Sequence, residues 1–435
     1  MKEENSDYDV LIIGAGIAGI EAALTLGDTG KKVLLIEKNP SVGGKMALLS
    51  KVFPTLDCCA CICTPKMASV IHHPNVTLIT YCEVQEVLKK AKTNFSAKIL
   101  AKPKYVDWDA CTGCSMCEMA CPVIVSDEFQ YDMRGRKAAY IAFDIAVPKK
   151  AIIDIENCTF CGACERVCPT NAINFLQKPI MYNISIKAVI ITTGFELFKP
   201  ELKPEFGYGR SKNVITAMQM DRLLAPTRPY NTVQRPSDGK EPMKIAYLYC
   251  VGSRDKTIDN PFCSQICCMY SIKQSQLILG ALPLADVFSF YIDIRAQGKG
   301  FEEFYQQTRD MGSYFIKGRI TYVAEAENGD VIVKYEDIDD EGKLKEDVFD
   351  LVVLAIGIYP PKDGIEKVFK TLKLETDLLG WVKQIEININ PVETNIAGVF
   401  AAGCSTGPKD IPDTIAEANA AVSQCLAYIT SNGES

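Results

Sequence analysis

Apolar residues in this chain gather in short runs separated by turn-forming segments. Residues 8–13 form one run; a glycine-rich stretch follows, then a helix-like segment and a second run at 33–36 that ends at Glu37. Short apolar runs bounded by glycine or charge mark buried strands, so the opening reads strand–helix–strand. Strand-like runs recur at 76–87, 188–194, 245–249, 286–294 and 351–356. Residues 301–309 carry a helical pattern, and 320–335 with 346–349 read as a small β-meander. Strands alternating with helical segments argue for an α/β chain. No run approaches the roughly 18 apolar residues needed to span a bilayer, so direct membrane insertion is not expected.

Between the first strand and helix stands Gly14-Ala15-Gly16-Ile17-Ala18-Gly19. In such a G-x-G-x-x-G the first glycine makes the tight turn, the second admits a pyrophosphate against the backbone, and the third lets helix and strand pack. The helix N-terminus offers N–H groups to the phosphate, and Glu37 can accept from a ribose hydroxyl. The rival reading is a glycine-rich turn with no ligand. The next residues, Lys38 and then Gly43-Gly44-Lys45, resemble the loop that passes the FAD in two-dinucleotide-binding-domain flavoproteins. That favours FAD over a nicotinamide here. The same resemblance marks Thr193-Gly194 as the return to the FAD domain and 398–421 as its closing segment, with Gly403, Cys404 and Asp413 at the cofactor. Cys404 stands where those flavoproteins have an acid, and Asp413 is read as the N-cap of the last helix. The run at 245–249 leads into Cys250-Val251-Gly252-Ser253-Arg254-Asp255, one glycine without a second fingerprint. The second Rossmann-like domain is therefore read as having lost NAD(P) binding.

Cysteine changes the picture most. The chain has 19 cysteines and two histidines, the adjacent His72 and His73, which are read as structural. Cys111, Cys114, Cys117 and Cys121-Pro122 follow C-x2-C-x2-C-x3-C-P, and Cys158, Cys161, Cys164 and Cys168-Pro169 repeat it. That spacing builds a pair of [4Fe–4S] clusters in which the fourth cysteine of each run reaches across to the other cluster. Cys111, Cys114, Cys117 and Cys168 are assigned to one, and Cys158, Cys161, Cys164 and Cys121 to the other. Zinc sites, whose ligands come as separated pairs, and disulfides fit the repeat less well. Two further segments are cysteine-rich: residues 51–67, with Cys58, Cys59, Cys61 and Cys63, and residues 261–274, with Cys263, Cys267 and Cys268 at the start of a helix-like stretch. Small buried thiols, a redox disulfide, a sulfur-transfer thiol, or a third cluster held by Cys58 and Cys61 with Cys263 and Cys267 or Cys268 all remain open.

The expected organisation is a first FAD-binding part at 1–100, an inserted α+β ferredoxin-like unit at 101–180, a return and connector at 181–240, a degenerate Rossmann-like domain at 241–357 and a closing FAD segment at 358–435. At 435 residues, 48% hydrophobic and 23% charged, the chain is an ordinary globular one. Its net charge of −7 argues against a nucleic-acid partner. No signal peptide is expected, and the metal-ligand spacing of the cysteines suits a reducing, cytoplasmic setting.

The order GAGIAG, VGGKM, FPTLDCCAC, TPKM, two ferredoxin motifs, GSRD, CSQICCMY and GVFAAG resembles the A subunit of heterodisulfide reductase, and the related subunit of the quinone-interacting membrane-bound oxidoreductase. The resemblance spans nearly the whole chain. It implies a thioredoxin-reductase-like flavoprotein holding FAD and several [4Fe–4S] clusters, active with partner subunits and ferredoxin, as a homodimer within a larger complex. It also implies flavin-based bifurcation between ferredoxin and a heterodisulfide, and it makes Cys58, Cys61, Cys263, Cys267 and Cys268 candidates for a flavin-proximal cluster. Cys59 and Cys63 are extra to the family pattern, and long members carry terminal cluster segments that this chain is expected to lack. The alternatives are an NAD(P)H-dependent iron–sulfur reductase of the glutamate synthase small-subunit type and a non-catalytic scaffold. No acid or base is assigned.

Overall fold

A computed structural model describes residues 5–362 and 365–432; the ends of the first and last expected segments, 1–4 and 433–435, lie outside it. Strand β1 (Asn5–Ile13), helix α1 (Ile17–Asp28) and strand β2 (Val33–Glu37) form the opening unit. Val10–Ile13 pairs in parallel with Val33–Ile36 on one side and Ala188–Ile191 on the other. Alternation then sorts the side chains. Val10 and Ile12 face α1, the helix α2 (Cys59–His72) and the closing helix Ile411–Asn432. Leu11 and Ile13 face the opposite core, with Val84, Phe95 and Ile99. A strand buried on both faces must read as a continuous apolar run, which is why β1 was legible in the sequence.

The run at 76–87 is not one strand. It breaks at Tyr81, held at φ 59°, into β3 (Val76–Thr80) and β4 (Cys82–Ala91), which sit at opposite ends of the strand order. Strand β4 turns into β5 (Asn94–Ala101), which pairs antiparallel with the long strand Ile180–Ile191. Ala101 is the register partner of Ile180. The chain therefore leaves and re-enters this sheet at one point, and residues 102–179 build a separate small unit there.

The second seven-stranded sheet runs Val214–Thr216, Leu351–Ile356, Lys244–Val251, Asp286–Tyr291, Tyr314–Glu325, Val331–Asp337, Lys343–Phe349. The first five are parallel and the last two antiparallel, so the expected meander forms one end.

A short helix, Ala217–Leu224, ties the parts together. Its Asp221 carboxylate accepts from the Ser50 N–H at 2.9 Å, the Ser50 hydroxyl, Lys273 Nζ at 2.9 Å and Gln274 Nε2 at 2.9 Å. Arg222, fully buried, donates to Leu48 O, Gln130 Oε1 and Thr227. Residues from the first sheet's loops, the inserted unit and the second sheet thus meet at two adjacent charges. Breaking a buried pair leaves an uncompensated charge. Asp221→Asn should lower unfolding stability by about 3–5 kcal/mol in chemical denaturation, and adding Lys273→Met should restore much of the loss.

Candidate functional site

A cleft of about 1140 Å³ opens between these parts. Gly14, Gly16, Glu37, Lys38, Gly44, Lys45, Thr193, Gly194 and Cys404 all line it, although they come from four separate stretches of chain. Gly19, Gly43, Gly403 and Asp413 do not line it and support it from behind or lie beside it.

The glycines divide by what a side chain would meet. At Gly14, φ is 105° and a Cβ would stand 2.5 Å from Thr192 O; at Gly19 it would stand 1.9 Å from Gly14 O. At Gly16 the nearest atom is Gly44 Cα, 4.0 Å away. Gly14 and Gly19 are therefore required by the fold itself, whereas Gly16 leaves space facing the cleft. Gly16 also caps α1 without any side-chain hydrogen bond, so the first N–H groups of that helix are left for a ligand. Thr193 Oγ1 is buried in the same wall with no partner among the described residues. These features fit a dinucleotide pyrophosphate. Glu37 is buried, and its carboxylate accepts from Ala15 N at 2.8 Å and from Asn39 N and Nδ2 at 2.9 Å. Burial raises its pKa against those hydrogen bonds. Oε1 accepts both Asn39 hydrogen bonds, so Oε2, which accepts one, keeps a lone pair for a ribose hydroxyl.

Two readings of the closing segment are refined. Asp413 is not the N-cap: it is exposed in the first turn, and its N–H donates to Asp410 Oδ1 at 2.9 Å. Asp410 caps the helix and lines the cleft. The spacing of Asp410 to Asp413 was available in the sequence, but a proline at 412 suits the first turn and moves the start upstream. Cys404, in place of the acid, is buried and donates to Lys409 O at 3.4 Å. The nearby carboxylate is Glu417, which accepts from Gly403 N at 2.6 Å.

The inserted unit contributes Phe129, Tyr131, Arg136 and Tyr140 to the same cleft, and the second sheet's helices contribute Asp221, Lys273 and Gln274. Lys45 Nζ reaches Tyr131 OH at 3.3 Å. Behind this wall the two cysteine runs repeat in three dimensions. Helices Met116–Ala120 and Ala163–Val167 pack together, each following the second cysteine of its run. Gly113 and Phe160 take φ of 71° and 53°, and Ser115 and Gly162 take 63° and 70°. Equivalent positions adopt the left-handed region whatever the residue, so the loop path and not the glycine sets the conformation. A small pocket is lined by Cys121, Cys158, Cys161 and Cys164. The crossing of Cys121 to the second run is the arrangement the spacing implies. Cys168 accepts from Ala172 N at 3.2 Å; burial opposes its ionisation, but these N–H contacts bring its thiol below the ordinary value. Burial pushes Cys117 up to about 12, so ligation there must expel a proton.

Six of the remaining thiols form two sets that no hydrogen bond among the described residues connects. Cys58 caps α2 and lies beside Cys61. The other set is Cys263, Cys267 and Cys268, and the structure adds Cys250 to it. The three thiols lie next to one another, and Cys263 Sγ accepts from Gln265 N at 3.3 Å. Burial, with the Cys268 and Cys263 sulfurs nearby, pushes Cys250 up to about 12. Cys250 holds φ at 60°, rare for a residue with a side chain. The sequence reading placed Cys250 just after the 245–249 strand, at the head of the segment where a glycine fingerprint is missing, and gave it no ligand role.

Two family models match: FAD dependent oxidoreductase over residues 9–55 and 4Fe-4S dicluster domain over residues 89–173. The T. acidophilum thioredoxin reductase structure aligns with 98% of this chain and 99% of its own at a TM-score of 0.55 and 16% identity. The Escherichia coli flavoprotein disulfide reductase RclA aligns with 99% of this chain and 72% of its own at 0.51 and 12%. The class is thus a thioredoxin-reductase-like FAD oxidoreductase fold with a 4Fe–4S dicluster segment. More closely, the chain is a homologue of the A subunit of CoB–CoM heterodisulfide reductase. It is 45% identical to the iron–sulfur A subunit of that reductase from Methanocaldococcus jannaschii, over 96% of this chain and 64% of that protein. It is 42% identical to the A subunit of the H2:CoB-CoM heterodisulfide,ferredoxin reductase of Methanothermobacter thermautotrophicus, over 96% and 63%. With the A subunit of the ferredoxin:CoB-CoM heterodisulfide reductase of Methanosarcina mazei the identity is 40% over 97% and 53%. The chain spans between half and two thirds of these relatives.

The two glycine roles separate experimentally. Gly16→Ala should fold with unchanged thermal stability yet lose FAD affinity by roughly tenfold or more, since the methyl fills ligand space. Gly19→Ala should instead cost roughly 1–3 kcal/mol of stability, since its methyl meets backbone.

Proposed function

We propose that this chain is an electron-transfer oxidoreductase subunit in which FAD, bound in the large cleft, exchanges electrons with iron–sulfur clusters and, through them, with ferredoxin and partner subunits. The observation that carries the reading is the shared wall: the unit bearing the eight ferredoxin-type cysteines lines the same cleft as Gly16 and Glu37. When bound, FAD supplies the step between two-electron and one-electron chemistry, and the clusters relay single electrons. The chain's own residues bind and orient: Gly16 and the head of α1 receive the pyrophosphate, Glu37 the ribose, and Thr193 a polar cofactor atom. Lys273 and Asp221 form a buried ion pair in the cleft wall that holds the surrounding loops in place.

Cys111, Cys114, Cys117 and Cys168 hold one cluster, and Cys158, Cys161, Cys164 and Cys121 a second. A third is held by Cys250, Cys263, Cys267 and Cys268, a reading carried by the place of Cys250 beside the Cys263 and Cys268 sulfurs. Electron bifurcation between ferredoxin and a heterodisulfide rests on the names of the methanogen relatives, and work as a dimer in a larger cytoplasmic assembly on the family resemblance. Among the described residues no helix is long and apolar enough to cross a membrane.

The NAD(P)H-dependent alternative meets an obstacle in the second sheet. The strand Lys244–Val251 is followed by 15 residues, including a single 3-10 turn, before the next α-helix, and that helix begins at the buried Cys267 and Cys268. A Cβ at Gly252 would stand 2.2 Å from the Phe198 ring, so this glycine serves packing rather than a phosphate. The anaerobically purified chain should hold about 12 Fe with one FAD, and Cys250→Ser should lower iron by about 4 with the ferredoxin-type clusters intact. NADH and NADPH should leave the flavin oxidised; rapid bleaching by either would favour the alternative.

A further inference from the structure

Cys58 and Cys61 are left without a role by that ligand set, and their surroundings separate them from their neighbours. Helix α2 carries four cysteines at or near its start. Cys59 and Cys63, four apart, turn inward to the core and are fully buried, and burial pushes their thiols up to about 12 and about 11. Cys58 and Cys61, three apart, turn the other way: Cys58 is half-buried and Cys61 exposed. The C-x2-C spacing puts the first at the N-cap and the second one turn on, so the two sulfurs stand side by side. Cys61 N donates to Cys58 Sγ at 3.4 Å. The loop before the helix is pinned: Val52 N to Asp57 O at 2.9 Å, Leu56 N to Val52 O at 3.1 Å and Cys59 N to Ser50 O at 3.2 Å. Residues 51–55 of that loop, and Ile62 beside Cys61, line the large cleft.

We propose that Cys58 and Cys61 form a redox-active dithiol at the rim of the cleft, exchanging two electrons with a small-molecule disulfide. The Cys58 thiolate, stabilised by N–H groups at the helix end, attacks one sulfur of the external disulfide. The S–S bond of that molecule breaks, one thiolate leaves, and Cys58 carries a mixed disulfide. The Cys61 thiolate then attacks Cys58 Sγ and the second thiolate departs. Two external thiols form, with the two protons given up by the cysteines, and the Cys58–Cys61 disulfide remains; the reverse sequence oxidises external thiols. The pair needs no metal for this chemistry; its role goes beyond the electron-transfer reading and rests on that reading's ligand set, which leaves the two thiols free.

The test uses the full, cluster-loaded chain, equilibrated anaerobically with mixtures of 2-mercaptoethanol and 2-hydroxyethyl disulfide, then denatured and alkylated for peptide mass mapping. The expected result is a reversible Cys58–Cys61 disulfide whose oxidised-to-reduced ratio depends on both probe concentrations as a two-electron exchange requires, while Cys59 and Cys63 stay reduced. Cys61→Ser should trap the probe as a mixed disulfide on Cys58, and Cys58→Ser, which keeps a capping oxygen, should abolish the adduct without loss of iron. Four free thiols at every ratio would overturn the proposal. So would a loss of about 4 Fe in Cys61→Ser, which would make the pair cluster ligands.

Discussion

A buried carboxylate fixes the geometry on which everything else rests. Asp221 is 2% exposed and holds Lys273, Gln274 and the turn at Ser50 at once. Such a charge is tolerable only when its partners are all in place. The loop from Gly44 to Pro54, the inserted unit reached through Arg222 and Gln130, and the helix Cys267–Ala281 are therefore held in one relative position. The cleft is the space those three leave. Without this pair, the nucleotide loop and the clusters would belong to parts free to drift, and electron transfer falls steeply with separation.

The chemistry that depends on backbone geometry was legible because few residues can satisfy it. A Cβ at Gly19 meets a carbonyl oxygen at 1.9 Å, so the fingerprint glycine announces itself. The two cysteine runs were legible because ligand spacing is covalent in origin and survives any change of surroundings. Strands buried on both faces, such as β1, betrayed themselves as unbroken apolar runs. By contrast, 76–87 looked continuous because a left-handed turn at Tyr81 leaves no compositional mark. The helix cap moved from Asp413 to Asp410 for a similar reason: either carboxylate suits a helix start, and only the backbone decides.

Contacts distant in sequence were the least legible. That Cys250 stands by Cys263 and Cys268 follows from a strand end and a helix start meeting across 13–18 residues of irregular chain, for which no periodicity exists. The same segment shows how one architecture changes its chemistry. Where a nicotinamide domain would keep an open glycine turn and a free helix end, this chain places thiols at the helix end and packs its remaining glycine against Phe198. Helix α2 performs the equivalent sorting on a smaller scale, turning Cys59 and Cys63 into the core and leaving Cys58 and Cys61 toward solvent.

Flavin and clusters, on this reading, lie on one continuous path within a single chain. Photoreduction of the bound flavin, followed by freeze-quench electron paramagnetic resonance, examines that path without any partner protein. Reduced-cluster signals should appear as the flavin reoxidises, in a first-order process whose rate does not change with protein concentration. Cluster reduction that scales with concentration, or a flavin that stays reduced beside oxidised clusters of higher potential, would contradict it.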